Sequence, residues 1–116
     1  MTIEHRDLFY GRKTLSVDIN SDTHTASIRI GTRDPLWLHP RIPGESTHLF
    51  LEAENVIRQR VEEKGFPITL RFDTANSAMK QWILVQKDVL GFDIVEPDDP
   101  QAYRLTVVKT YMPLQY

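Results

Sequence analysis

Hydrophobic and polar residues alternate along two early segments of the chain. Leu, Val and Ile occupy every second position in residues 14–19, and the pattern returns in residues 26–30 after the polar stretch Asn20-Ser21-Asp22-Thr23. Period-two alternation is typical of strands with one buried face, and Asn, Ser and Asp favour turns. The two segments therefore predict an antiparallel hairpin, whereas residues 1–13 show no pattern that assigns them.

A third apolar segment, Leu36-Trp37-Leu38-His39, is short and bounded by prolines. Because proline cannot donate a backbone hydrogen bond to a ladder, Pro35 and Pro40 would stand at the two ends of a strand. The segment predicts a brief strand, followed by a loop over residues 41–46.

The spacing of apolar residues then changes to that of an amphipathic helix. Leu, Ala, Val and Ile recur on one helical face from Leu49 to Val61, and charged residues cover much of the remainder. Ser46 or Thr47 would cap the start of this helix. Gly65 would end it in the left-handed conformation, which glycine adopts without a steric penalty.

The second half of the chain predicts a strand over residues 68–72 and a second helix. That helix would begin at a cap formed by Asn76 or Ser77 and would stop at Gly91. Met79 and Trp82 lie on its apolar face, where packing in the core is expected.

Two further strands are predicted over residues 92–95 and 105–111. The predicted order is therefore β-β-β-α-β-α-β-β, an α/β fold with a mixed sheet. Helices that follow strands imply parallel pairing near the middle, and hairpins imply antiparallel flanks. A chain of 116 residues has room for one core, so a single domain over residues 1–116 is expected.

Composition and charge narrow the classes of function. The formal net charge of -2 argues against a nucleic-acid partner, because binding to duplex nucleic acid needs a basic face. The chain has no cysteine and its four histidines lack ligand spacing, so no metal site is predicted. No apolar run approaches the ~20 residues that span a bilayer, and no signal-peptide pattern is present at the N-terminus. No membrane association and a cytoplasmic location are therefore expected.

The loop that enters the first helix is where chemistry is expected. A helix start offers unpaired N–H groups and the positive end of the helix dipole, a combination that favours anions such as phosphate. Gly44 would let a ligand approach the backbone, and Arg41 would add a positive charge. On these residues alone a purely structural loop is the more frequent outcome, since every strand–helix connection needs a turn.

Residues 37–92 resemble the cofactor-binding half of the GNAT superfamily, the acyl-CoA-dependent N-acyltransferases. The resemblance rests on His39-Pro40, the loop Arg41-Ile42-Pro43-Gly44-Glu45-Ser46, the leucine- and alanine-rich residues 49–54, Gly65, the strand over residues 68–72, Asn76 and Gly91-Phe92. It implies a GNAT-like fold that lacks the family's N-terminal strand and two helices.

The resemblance also implies a cofactor, acetyl-CoA. The loop amides would hold the pyrophosphate of coenzyme A, and the backbone around residues 37–39 would pair with its pantetheine arm. The cofactor-binding residues implied are Trp37, Leu38, His39, Arg41, Gly44, Glu45, Ser46, Thr47 and Asn76. The implied activity is N-acetyl transfer to a small amine, which attacks the thioester directly while a base takes its proton; no catalytic residue is identified.

Two alternatives remain open. Pro43 lacks an N–H group, and Ile83 stands where the family commonly has a tyrosine as the acid, which favours a non-catalytic GNAT-fold binding or regulatory module. The other alternative is an unrelated α+β interaction domain. A V-shaped opening between the strands around residues 38 and 70 would distinguish the GNAT fold from this domain.

The small number of helices predicts an interface. With one helix on each face of the sheet, apolar side chains of the first hairpin would be exposed, namely those of Leu15, Val17, Ile28 and Ile30. Exposed apolar patches of this kind usually mark contacts with another protein. A homodimer or larger assembly is therefore expected.

Overall fold

The structure is a computed structural model that describes residues 3–74, 77–95 and 104–114. It contains a six-stranded mixed sheet and two α-helices. The elements in chain order are β1 (Ile3–Tyr10), β2 (Lys13–Asn20), β3 (Thr25–Thr32), a 3-10 helix (Leu36–Leu38), α1 (Glu45–Lys64), β4 (Ile68–Asp73), α2 (Ser77–Leu90), β5 (Asp93–Val95) and β6 (Thr106–Tyr111). The mixed α/β class is therefore confirmed.

The strands lie in the order β1-β2-β3-β4-β6-β5. β1, β2 and β3 form one antiparallel group, and β4, β6 and β5 form a second. Parallel pairing of β3 with β4 joins the groups, but its ladder covers only two register pairs, Thr25 with Thr69 and Ala26 with Leu70. Beyond these pairs the strands continue toward their carboxyl ends without a ladder, and this unladdered part of the sheet is the opening between β3 and β4.

Both helices pack on the same face of the sheet. β4 and β5 lie on the same side of β3 in the strand order, so two right-handed crossovers bring α1 and α2 to one face. The ring of Phe50 in α1 lies 6.1 Å from Trp82 in α2 and 4.9 Å from Phe92, measured between centroids. The expectation of one helix on each face is wrong, because both crossovers run in the same direction along the sheet.

α1 covers the β2–β3 hairpin, the first hairpin predicted from the sequence. Leu15, Val17 and Ile28 are 0%, 1% and 8% exposed and belong to the same core cluster as Ile57 of α1. Ile30 is partly buried and packs against that core. The expected exposure of these side chains is therefore wrong. The homodimer was predicted from that exposure, so the surface proposed for it is not available.

Glycines flank both ends of α1. Gly44 and Gly65 are its N-cap and C-cap, with φ angles of 75° and 76°. The predicted stop at Gly65 is confirmed. The predicted cap at Ser46 or Thr47 is wrong, because both residues already lie in the first turn of the helix.

The predicted strand over residues 36–39 is also wrong, because the segment forms the 3-10 helix. The backbone N–H of Leu38 donates to the carbonyl of Pro35 at 3.2 Å, and the side chain of Trp37 is 77% exposed. Prolines on both sides remove ladder donors, so a local turn satisfies the backbone instead. The strand that precedes α1 is β3, and the N-terminal residues that showed no pattern form β1.

The other predicted elements are confirmed. The alternating segments form the β2–β3 hairpin, and the later patterns form β4, α2, β5 and β6. Of the two caps expected for α2, Asn76 lies outside the described residues and Ser77 is already the first residue of the helix. Neither helix in the described part of the chain is long and apolar enough to cross a membrane.

A buried polar cluster links α1, β6 and the end of α2. Glu54 is 6% exposed and accepts hydrogen bonds from the hydroxyl of Tyr111 and from Lys109 Nζ, the latter at 2.6 Å. Lys109 Nζ also donates to the carbonyl of Leu90, one of the last carbonyls of α2. Burial, together with the Glu54 carboxylate, raises the pKa of Tyr111, so its hydroxyl remains a donor.

Removal of each donor tests this cluster. Tyr111→Phe leaves Glu54 paired with Lys109, and we expect it to lower the free energy of unfolding by about 1–2 kcal/mol. Lys109→Met leaves a buried carboxylate without its cation, and we expect a loss of about 3 kcal/mol or more. Urea unfolding at pH 7 measures both changes. Arg104→Gln is the control, because Arg104 is an exposed ion-pair partner whose removal should cost less than about 1 kcal/mol; equal losses for the two cations would contradict the prediction.

Candidate functional site

A pocket of about 270 Å³ lies beside the carboxyl end of β3, and none of the residues that line it belongs to β4. Its walls come from the start of β2, the end of β3 and the first turns of both helices. The lining residues are Lys13, Ile30, Gly31, Thr32, Ser46, Ala78, Met79 and Trp82. Because β3 and β4 are parallel, their carboxyl ends and the starts of α1 and α2 meet at one edge of the sheet. Open α/β sheets commonly bind ligands at this kind of edge.

A more open groove follows the loop that enters α1. It has a volume of about 260 Å³ and is lined by residues 41–47 and Trp82. Ser46 and Trp82 line both the groove and the pocket. The indole N–H of Trp82 donates to Thr47 Oγ1 at 3.2 Å, which fixes the indole between the two cavities.

The start of α1 presents backbone donors to this groove. The first backbone hydrogen bond of the helix runs from the N–H of His48 to the carbonyl of Gly44, at 3.0 Å. The N–H groups of residues 45–47 therefore precede the helical ladder, and no side chain caps the helix start. A Cβ built at Gly44 would meet nothing within 4 Å. This backbone is open to a ligand, and the helix dipole there favours an anion.

The carboxylate of Glu45 is held by the β1–β2 turn. Glu45 is 8% exposed, and its Oε2 accepts the backbone N–H of Arg12. Arg12 Nε donates in turn to the carbonyl of His39 at 2.9 Å. A Cβ built at Gly11 would lie 2.0 Å from Glu45 Oε2, so the carboxylate packs directly against the turn. These contacts restrain the negative charge from swinging into the groove.

The structure brings together five of the residues implied as cofactor-binding. Those that line the groove are Arg41, Gly44, Glu45, Ser46 and Thr47. Trp37 and Leu38 lie on the exposed 3-10 helix and line neither cavity, and His39 contributes its carbonyl to Arg12. The pairing with pantetheine that was expected of these three residues depended on a strand that the chain does not form there. Asn76 lies outside the described residues.

Sequence reasoning did not assign the residues that line the pocket. Met79 and Trp82 pack against the core as expected, but they also line the pocket. Their three-residue spacing indicates a common helical face and nothing more. The pocket also needs the start of β2 and the end of β3 beside that face, which local periodicity does not report.

A second cluster lies on the opposite, open face of the sheet. His5 Nδ1 lies 2.5 Å from Asp18, His5 Nε2 lies 2.9 Å from Asp7, and the Ser16 hydroxyl donates to Asp7 at 2.6 Å. The hydrogen bond with Asp18, followed by the charge of Asp7, raises the pKa of His5. Since the hydroxyl contacts a carboxylate and not the imidazole, the cluster lacks the contact that activates a serine nucleophile. In the described ranges, no group of side chains is arranged to hold a metal ion.

No known protein family, curated protein or solved structure matches this chain. The function of the pocket and the groove is therefore argued from their own geometry.

The contact between the β1–β2 turn and Glu45 can be tested with two glycines. Gly11 and Gly65 both have left-handed φ angles, so alanine should cost about 1–2 kcal/mol at either position. At Gly11 the added methyl group would also push Glu45 off the Arg12 N–H, a charge-assisted bond whose loss costs about 1–3 kcal/mol. We therefore expect Gly11→Ala to lower the free energy of unfolding more than Gly65→Ala in urea titrations. Equal losses would contradict the contact.

Proposed function

We propose that the protein is a GNAT-like N-acetyltransferase that binds acetyl-CoA at the opening between β3 and β4 and acts on a small amine. The proposal is carried by the opening itself, a parallel strand pair whose ladder stops after two register pairs. α1 begins at the same edge, as required for a helix start that holds a pyrophosphate. The resemblance implies a V-shaped opening between two strands; here the strands that continue without a ladder are β3 and β4, and the segment around residue 38 is not one of them.

The open side of β3 would pair with the pantetheine arm. Beyond Ala26, the described part of the chain offers no ladder partner to the side of β3 that faces β4. Backbone groups on such an edge can hydrogen-bond to the amides of an extended ligand. Apolar atoms of Ile30, Met79 and Trp82 line the adjoining pocket and would contact the hydrocarbon parts of the arm. We therefore assign the pairing role to residues 27–32 in place of residues 37–39.

The start of α1 would hold the pyrophosphate. The uncapped N–H groups of residues 45–47 supply donors, and the exposed Arg41 lines the same groove. Pro43 removes one donor from the loop, but it precedes the helix and leaves those amides unchanged. The Glu45 carboxylate is engaged by the β1–β2 turn, which reduces its repulsion of a bound anion.

A GNAT-like binding or regulatory module without catalysis is the second candidate. Ile83 favours it, because the residue at the position of the family's usual tyrosine is fully buried in the core. Two tyrosines of the described chain have other partners: Tyr10 stacks on His48, and Tyr111 donates to Glu54. Neither lines the pocket or the groove.

Calorimetric titration with acetyl-CoA and with coenzyme A tests binding. We expect micromolar affinity for the native protein and at least about tenfold weaker binding for Gly44→Trp, whose indole would cover the uncapped amides. Gly65→Trp is the matched control, since Gly65 has the same backbone conformation and equally open surroundings at the other end of α1. This control should bind like the native protein. Absence of binding to the folded native protein at millimolar ligand would refute the proposal.

A thiol-release assay with a panel of small primary amines separates the two candidates. In the transfer, the amine nitrogen bonds to the acyl carbon, the carbon–sulfur bond breaks, and the departing thiolate acquires the proton that the amine loses. Because the chain has no cysteine, every thiol detected comes from the cofactor. We expect release with the native protein and with Gly65→Trp, and loss of release with Gly44→Trp. Binding of acetyl-CoA without release for any amine would favour the non-catalytic module.

A further inference from the structure

β1 forms a long open edge of the sheet. Its eight residues, Ile3–Tyr10, pair with β2 in unbroken antiparallel register. No strand of the described ranges pairs with its other side. An edge strand presents a row of backbone N–H and C=O groups that serve as a template for another strand. The opposite edge, β5, has only three residues, so β1 is the edge that can accept a strand of full length.

β1 lacks several devices by which proteins block edge pairing. It contains neither lysine nor proline, and its register with β2 has no bulge. Ile3 and Phe9, near its two ends, are 55% and 57% exposed on the open face of the sheet. Between them on the same face lie one basic and one acidic side chain, those of His5 and Asp7. The strand thus carries apolar ends and a charge pair, arranged symmetrically about Arg6.

We propose that β1 pairs with β1 of a second copy of this chain, antiparallel and centred on Arg6. Side chains alternate between the faces, so Ile3, His5, Asp7 and Phe9 of both copies share the open face. In this register Ile3 lies opposite the second copy's Phe9, and His5 lies opposite the second copy's Asp7. Two-fold symmetry makes each of these contacts twice, which joins the two sheets into one of twelve strands.

The side chains of β1 that face the helices are compatible with the same register. Arg6 lies opposite its own copy at the two-fold axis, where two like charges approach each other. Glu4 of the same strand lies 3.4 Å from Arg6 Nη2 and reduces that repulsion. Glu4 is itself fixed by Arg60 of α1, and this hydrogen-bonded pairing lowers the pKa of Glu4, so the compensating carboxylate remains charged.

Neighbouring registers lose this complementarity. A shift of two residues in one direction places Asp7 opposite Asp7 of the second copy. A shift of two residues in the other direction places His5 opposite His5 and leaves Phe9 without a facing residue in the second copy's β1. Like charges opposite each other destabilise a strand pair, whereas apolar and opposite-charge pairs each contribute about 0.2–1 kcal/mol. On the open face, the register centred on Arg6 is the one in which both the apolar and the charged side chains are matched.

Disulfide crosslinking tests the register, because the chain has no cysteine and each variant then carries a single thiol. Facing residues of an antiparallel pair have Cα atoms about 4.5–5.5 Å apart, which a disulfide can span. We expect Arg6→Cys to give a covalent dimer under mild oxidation, and His5→Cys and Asp7→Cys to give little. Preferential crosslinking of either flanking variant would overturn the proposed register.

Sedimentation equilibrium tests the association itself. We expect a concentration-dependent dimer of the native chain and at least about tenfold weaker association for Phe9→Lys, which places a charge opposite Ile3. Val89→Lys is the control, because Val89 is an exposed apolar residue of α2, remote from β1 in the sequence, and is 81% exposed. A native chain that stays monomeric up to millimolar concentration would overturn the proposal, as would a dimer that Phe9→Lys leaves intact.

Discussion

Two register pairs between β3 and β4 hold together two antiparallel groups of strands. Parallel neighbours cannot be joined by a tight turn, so the chain must cross over the sheet, and α1 is that crossover. The second crossover carries α2 in the same direction along the sheet, because β5 lies on the side of β4 away from β3. Both helices therefore cover one face, and both begin at the edge where the short ladder stops. The pocket, which is bordered by the starts of both helices, results from this arrangement.

Local patterns in the sequence were sufficient to predict the helices and strands that bury only one face. The β2–β3 hairpin and β4 alternate strictly because one face packs under α1, and Gly65 ends α1 because the left-handed conformation favours glycine. β1 could not be predicted in this way, since several of its side chains are exposed on both faces of an edge strand. The segment Leu36–Leu38 was wrongly predicted as a strand for the opposite reason. Its apolar residues indicate burial, but Trp37 is largely exposed, and no strand of the described ranges pairs with the segment.

The candidate site was predictable where it depends on the chain near the helix start, and not where it depends on strand order. Arg41 and Gly44 adjoin Ser46 and Thr47 along the chain, so any fold with this loop brings them together. The role of Glu45 depends on the β1–β2 turn, which lies more than thirty residues earlier in the chain. In the structure its carboxylate accepts the backbone N–H of Arg12, which holds the charge against that turn.

Cofactor binding by backbone amides tolerates more sequence change than proton transfer by a side chain, and this difference bears on the function. The groups that would hold a pyrophosphate and a pantetheine arm are amides of the α1 start and of the β3 edge, which any sequence compatible with the fold supplies. Protonation of a departing thiolate by a tyrosine, the route that the resemblance implies, needs a particular side chain at a particular place, and Ile83 cannot provide it. A chain of this fold can therefore keep cofactor binding after transfer is lost, but it cannot keep transfer after binding is lost, because the amine attacks a bound thioester. Binding at the start of α1 is thus the property on which both candidate functions depend.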